Sequence, residues 1–298
     1  MQPKLFRSKL RIVKKALPDN IDILFISAFG SWNYGLQTST SDIDFKAVYI
    51  PKLDELIHPL HQSSNIIEVG NIGQCEAISI QSFVEKIKSF DISKIEILFA
   101  CNIWVNDKHK QLFDSIKEQT LNLILNNKVR YIDSVISVCS SIYRTFITNP
   151  VFNYSGKKAY NIPRLKCLLN DVVFNNAYLL MIEDEDMHNR IMAYKVGNVE
   201  RDDAEIECRI IIERMKTMKT EFSNESEDGF QNRCDELDTI VKNGIYTEIV
   251  RATEETRIRK KVKKVSNQCR SDIAFHMTLS FITLWLQVTF MIVMCAVH

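Results

Sequence analysis

Residues 21–29, IDILFISAF, form a short and nearly unbroken apolar run that ends at Gly30, the pattern of a buried strand. In 42–50, DIDFKAVYI, apolar and polar side chains alternate until Pro51, which predicts a second strand with one face turned inward. NIIEVG (65–70) and QCEAISI (74–80) predict a third and a fourth strand joined by a turn between Gly70 and Gly73. Apolar positions then recur every three to four residues through IQSFVEKIKSFDISKIEI (80–97), a helix broken near Asp91. Ahead of these strands, Leu5, Phe6, Leu10, Val13 and Leu17 share one helical face, so the chain should open with an amphipathic helix packed on the sheet.

From Lys108 onward the period stays helical. Helices are expected at 108–125, 128–148, 156–182, 187–196 and 202–222, separated by the turn-like NPVFNYSG and the acidic SNESEDG. The predicted class is therefore α+β: a small mixed sheet with flanking helices over 1–107, then a helical domain over 108–250, then a distinct tail over 251–298. That tail begins with RIRKKVKK (257–264) and continues into a stretch, 274–297, that has no Asp, Glu, Lys or Arg. At about 1.5 Å per residue such a run matches a bilayer core of roughly 30 Å. With its basic flank it predicts a tail anchor holding a cytoplasmic protein to a membrane, although Thr278, Ser280, Thr283, Gln287 and Thr289 interrupt it. A helix docked on the helical domain and a tail with no selected role are the other readings of the same residues.

Composition adds little to this picture. With 46% hydrophobic and 25% charged residues the chain is an ordinary folded protein, and 38 Lys plus Arg against 37 Asp plus Glu leave no global field to attract nucleic acid. The basic, acid-free first fifteen residues also fit a mitochondrial presequence, but they contain a single serine and the amphipathic helix explains them. Eight cysteines at wide intervals, with no CxxC, read as buried thiols of a reducing compartment rather than as a disulfide or zinc framework. His58 and His61 are split by Pro59 and read as loop residues.

The candidate chemistry sits in FGSWNYGLQTSTSDID (29–44). Side chains two apart on a strand project to one face, so Asp42 and Asp44 point together while Ile43 turns to the core. Two carboxylates that close repel each other unless a cation lies between them, and magnesium is commonly held by one or two carboxylates together with substrate phosphates. Gly30 and Ser31 supply a turn whose backbone can approach phosphate closely at the start of a following helix, and Ser41 adds a hydroxyl where the chain returns. GxxxxGK[ST], HExxH and GxSxG are all absent.

The pattern F-G-S-x-x-Y-G-L-x-x-x-x-S-D-I-D resembles the signature of the DNA polymerase beta-like nucleotidyltransferase superfamily, in particular its predicted-nucleotidyltransferase group of bacteria and phages, which includes proteins linked to RNA repair. DFKAVYIP and SFVEKIKSFDISKIEILF are similar to that group's following strand and to its helix ending in Glu-x-Leu-Phe. KAYNIPRL (158–165) and AYKVG (193–197) more loosely resemble a His-x-x-Arg-Leu and an Ile-Arg-x-Gly segment, so the likeness covers about residues 20–200. It implies transfer of a nucleoside monophosphate from an NTP to a hydroxyl, with Asp42, Asp44 and a third carboxylate holding two Mg²⁺ or Mn²⁺ ions. Glu76 is the first choice for that third acid and Glu68 the second, where the family more often has aspartate. Gly30, Ser31, Ser41, Lys158 and Arg164 become the nucleotide contacts. Asn161 stands where the family usually has histidine, and Glu96 matches a glutamate of structural character. The acceptor would be an RNA 3′ end, a protein side chain or a small molecule. Because Glu76 and Asn161 depart from the pattern, a nucleotide-binding sensor without turnover is the alternative, and a scaffold tethered to a membrane through 274–297 is a third reading.

Overall fold

A computed structural model describes residues 3–18, 21–39, 41–51, 64–69, 73–151, 153–223 and 229–297; of these, 3, 4, 64, 65, 264–279 and 281–297 are described as backbone only. His58, His61 and most of the Gly70–Gly73 turn lie outside the described residues. The protein is mixed α+β, 68% helical, with one five-stranded mixed sheet.

Helix α1 (Pro3–Ala16) precedes β1 (Asp22–Phe29), the single turn α2 (Ser31–Tyr34) and β2 (Asp44–Ile50). Strands β3 (Ser64–Glu68) and β4 (Gln74–Ser79) lead into α3 (Ile80–Lys88), α4 (Ile92–Leu98) and β5 (Ile103–Val105). The strand order is β3-β4-β2-β1-β5; β2 and β4 run parallel, and the other neighbours are antiparallel. Parallel pairing of β2 with β4 needs a crossover, and β3 lies within that connection. The short β5 is not predicted by the pattern: with three half-buried residues it is too brief to show a period.

One sheet face is covered by α1. Phe6, Leu10, Val13 and Leu17 are buried against Ile26, Ala28, Phe45, Ala47 and Ala77, so the apolar stripe read from the sequence is the one the sheet uses. Its last turn carries Lys14 and Lys15, which suit the negative end of the helix dipole, and Lys14 Nζ stands 3.1 Å from the centre of the Trp104 ring. On the other face Phe25 packs edge-on against Phe83 and Phe113, at 5.6 and 5.2 Å between ring centres.

The break expected near Asp91 divides 80–97 into the two helices α3 and α4. Phe90 takes a left-handed conformation, φ 55°, between a stacked Phe230 and an edge-on Tyr131, and Asp91 then caps α4. Aromatic packing outweighs the local backbone preference there. Further helices follow: α5 (Lys110–Leu125), α6 (Lys128–Ile142) with a π turn at Tyr143–Thr148, α7 (Gly156–Ala159), α8 (Asn161–Asn175), α9 (Glu185–Val196) and α10 (Arg201–Phe222). The expected 156–182 helix ends early because Asn176 adopts the left-handed cap, φ 49°. The sheet and these helices form one compact unit, Met1–Ile245, and Tyr246–His298 forms a second. Cys75, Cys139, Cys208 and Cys234 are buried free thiols, and Cys101 is exposed.

Helix α11 (Phe230–Val297) runs through 68 residues, and side chains 257–263 are exposed along it. The expectation of a cytoplasmic, tail-anchored protein is corrected: among the described residues no helix is long and apolar enough to cross a membrane. The physical requirement is about 20 consecutive apolar residues. The described part of α11 breaks it with charges in nearly every turn; the 274–297 run, Ser280 apart, lies outside the residues whose side chains are described.

Candidate functional site

Strand β1 delivers the chain to Gly30, whose φ of 79° and ψ of −150° lie where side chains other than glycine are strained. One turn of helix follows before Gly35, at φ 74°, reverses the chain. The helix that was to present its N-terminus to phosphate is therefore only four residues long, too short to carry a useful dipole. The returning loop is pinned by three side chains. Trp32 Nε1 donates to the Asp42 carbonyl oxygen at 3.1 Å, Ser41 Oγ accepts from the Thr38 amide at 2.8 Å, and Lys195 of α9 donates to the Leu36 carbonyl and to Ser41 Oγ.

Asp42 and Asp44 are both exposed, with Ile43 buried between them. Both line a cleft of about 680 Å³ at the Phe29 end of β1, together with Gly30, Ser31 and Ser41. Lys158 and Arg164 line the same cleft from the helical side, where Lys157, Tyr160, Asn161 and Lys195 join them. Among the described residues no cation pairs with the Asp42 or Asp44 carboxylate. Acids on the sheet thus face amines on the helices.

Arg164 has a different part from the expected one. Its guanidinium is buried, 6% exposed, donating through Nη1 to Glu96 Oε1 at 2.6 Å and through Nε to Asn161 Oδ1 at 3.2 Å, and lying 3.9 Å over the Tyr34 ring. Tyr34 Oη donates a hydrogen bond to the other Glu96 oxygen at 2.5 Å. Burial, followed by the neighbouring Glu96, pushes the Tyr34 phenol well above its ordinary range, with Arg164 opposing. Both Glu96 oxygens are consumed, so Glu96 acts as a structural acceptor that ties α4 to α2 and α8. The arginine is the cation of that tie.

Glu76 does not line the cleft. It lies opposite Lys46 in the β2–β4 ladder and is held by two ammonium groups, Lys94 at 2.5 Å and Lys46 at 3.4 Å. Burial alone would raise its pKa; the hydrogen bond from Lys94 and the charges of both lysines outweigh this and lower it. A carboxylate already neutralised twice has little left for a metal. Glu68, the second choice, is exposed and pairs in register with Gln74, one step beyond the Phe45–Cys75 pair. That places it two strands from Asp44, about 10 Å away along the hydrogen-bonding direction. Besides Asp42, Asp44 and the buried Glu96, the cleft is lined by Asp91, the α4 cap, whose Oδ1 accepts from the Ser93 amide at 3.0 Å and from Ser93 Oγ at 2.8 Å. Its signal in the sequence, Asp-Ile-Ser at the helix break, reads as a cap; only the fold puts it in the lining of the cleft that Asp42 and Asp44 also line. Lys195 had a similar weak signal in AYKVG.

Lys46 is 8% exposed, and burial, with the nearby Lys94 charge, lowers its pKa from 10.5 to about 8 despite Glu76. Below pH 8 both folded and unfolded chains hold this proton and the fold bears the whole cost of a buried charge. Between about 8 and 10.5 the folded chain releases the proton while the unfolded chain keeps it, so stability attributable to Lys46 rises with pH across that window. At about 1.4 kcal/mol per unit the rise is roughly 2–3 kcal/mol. Urea melts of wild type and Lys46→Met at pH 7 and pH 10 should differ in their pH increment by that amount, and parallel profiles would refute the burial cost.

At the far end of β1, His109 Nε2 lies 2.9 Å from Asp22 Oδ1 and Lys108 Nζ 2.8 Å from Oδ2. Against a raising effect of burial, these hydrogen bonds hold the Asp22 carboxyl at about 2. Comparison of the sequence with family models and with curated proteins gives no match.

Proposed function

We propose that the cleft binds a nucleoside triphosphate with Mg²⁺ or Mn²⁺ and transfers its nucleotidyl group to a hydroxyl. The observation that carries this reading is the opposition, across about 680 Å³, of the paired carboxylates Asp42 and Asp44 to Lys157, Lys158 and Lys195. Two exposed carboxylates without a cationic partner fit a hard divalent ion that completes its shell with phosphate oxygens and water. Asp42 and Asp44 would hold such an ion, whose charge would offset that of the triphosphate and of pyrophosphate. The three lysines receive the β- and γ-phosphates, and Gly30 leaves the turn open beside them. Asp91 takes the proton of an incoming hydroxyl. Asp42 and Asp44 at the mouth of a central strand, with a helical layer beyond, support assignment to the nucleotidyltransferase fold resembling DNA polymerase beta. The acceptor belongs to one of three classes: an RNA 3′ end, a protein side chain or a small molecule.

Titration calorimetry with each NTP in Mg²⁺ tests the reading. Wild type should bind, and Asp44→Asn should lose ~10–100-fold in affinity, the scale of one charge-assisted contact. Equal affinity in both proteins would remove the metal role of Asp44, and absence of NTP binding by wild type would remove the reading. The saturation of Glu76 by Lys46 and Lys94 favours a second reading, a sensor that binds NTP without turnover. It predicts binding with no pyrophosphate released.

A further inference from the structure

Ser93 lines the cleft from the first turn of α4. Its Oγ donates to Asp91 Oδ1 at 2.8 Å, and Lys46 Nζ lies 3.5 Å from both that Oγ and the Ser93 carbonyl oxygen. Lys46 is two residues along β2 from Asp44, hence on the same sheet face and about 7 Å further in. The Ser93 hydroxyl therefore sits over the strand that carries the metal-holding acid, with a carboxylate placed to take its proton. Beneath it, one carboxylate, Glu76, is shared by two ammonium groups, which leaves net positive charge where an attacking oxygen would turn negative.

Four other hydroxyls of the cleft have different commitments, and Ser31 and Tyr160 have no carboxylate partner among the described residues. Ser134 donates to the Phe90 carbonyl and Ser89 to the Lys86 carbonyl, at 2.7 and 3.0 Å. Ser41 is engaged by Thr38 and Lys195, and Tyr34 is locked in the buried Glu96–Arg164 pair. Among the described residues, Ser93 is the one cleft hydroxyl that combines a carboxylate partner outside that buried pair with a neighbouring ammonium.

We propose that Ser93 is the acceptor of the transfer, so that the chain nucleotidylates itself. Ser93 Oγ attacks the α-phosphorus of the bound NTP, the bond from that phosphorus to the oxygen bridging to the β-phosphate breaks, and pyrophosphate leaves with the metal. The hydroxyl proton passes to Asp91, and the product is a Ser93–nucleoside monophosphate phosphodiester. This inference rests on the nucleotide-binding reading above and adds the acceptor to it. It also gives Lys46 a purpose, since the phosphodiester beside it would be an anion.

The test uses the full chain with NTPs radiolabelled at the α-phosphate, in Mg²⁺. Label should survive denaturing electrophoresis and map by peptide mass spectrometry to the segment holding Ser93. Ser93→Ala should reduce it to background while calorimetric NTP affinity stays at the wild-type value, because the Asp91 cap keeps its bond from the residue-93 amide. Ser93→Thr should retain label, and Ser134→Ala should leave it unchanged. NTP binding with no covalent label, label on another residue, or full labelling of Ser93→Ala would each overturn the acceptor assignment and leave nucleotide binding standing. Absence of NTP binding would overturn both.

Discussion

Replacing Arg164 by methionine is expected to cost about 3–5 kcal/mol, the usual penalty for stranding one member of a buried ion pair. Glu96 is 1% exposed and would keep only the Tyr34 hydroxyl as partner. The double replacement Arg164→Met with Glu96→Leu should recover more than half of that loss. The pair is held more by the penalty of separating it than by any net gain from having it, while Tyr34 would still lack its acceptor. Urea denaturation of the two single variants and the double variant measures the coupling directly. A loss below about 1 kcal/mol for Arg164→Met would mean that water reaches Glu96, contrary to its burial. The same variant should weaken NTP binding, because Arg164 Nε also fixes Asn161, a few residues past Lys157 and Lys158.

Gly156→Ala is the second large effect. A β-carbon at this position would overlap the Tyr194 carbonyl oxygen and come 3.6 Å from the Gly197 Cα, so α7 could no longer lie against the end of α9. The clash is with backbone, which yields less readily than a side chain, and the cost should reach about 3 kcal/mol. Because α7 carries Lys157 and Lys158 and α9 carries Lys195, the displacement also spreads the cationic wall, and NTP affinity should fall together with stability. Gly197→Ala is the contrasting case: its β-carbon meets nothing within 4 Å, and only the φ of 85° is unfavourable. It should cost about 1 kcal/mol and leave affinity unchanged. Equal thermal shifts for the two variants would mean that α7 and α9 are not packed as closely as described.

These two positions illustrate where the sequence was mute. Lys158 and Arg164 look alike in KAYNIPRL, both cations near a helix start that line the cleft, yet one is exposed and the other is buried with Glu96. Nothing local separates them, because Glu96 is 68 residues away from Arg164 and the pairing exists only once α4 and α8 meet. Glu76 failed for a related reason. The Cys-Glu-Ala pattern shows an acid on a strand, but whether it faces a metal or two lysines depends on the β2–β4 register, which sets it opposite Lys46.

What the chain by itself determined is whatever depends on neighbours a few residues away. Periods of two and about 3.6 marked α1, the first four strands and the bounds of most helices in 3–222, because burial of one face imposes a rhythm on composition. The same rule predicts one face for the aspartates of DID, although β2 begins only at Asp44, and the Gly30 turn follows from a backbone angle that glycine tolerates. Tertiary structure decided which charges cancel and which remain: Arg164 against Glu96, two lysines on Glu76, and Asp91 brought by the left-handed Phe90 into the cleft with Asp42 and Asp44. Coulombic partners are chosen by distance in space, and hydrophobic periodicity carries no information about that distance.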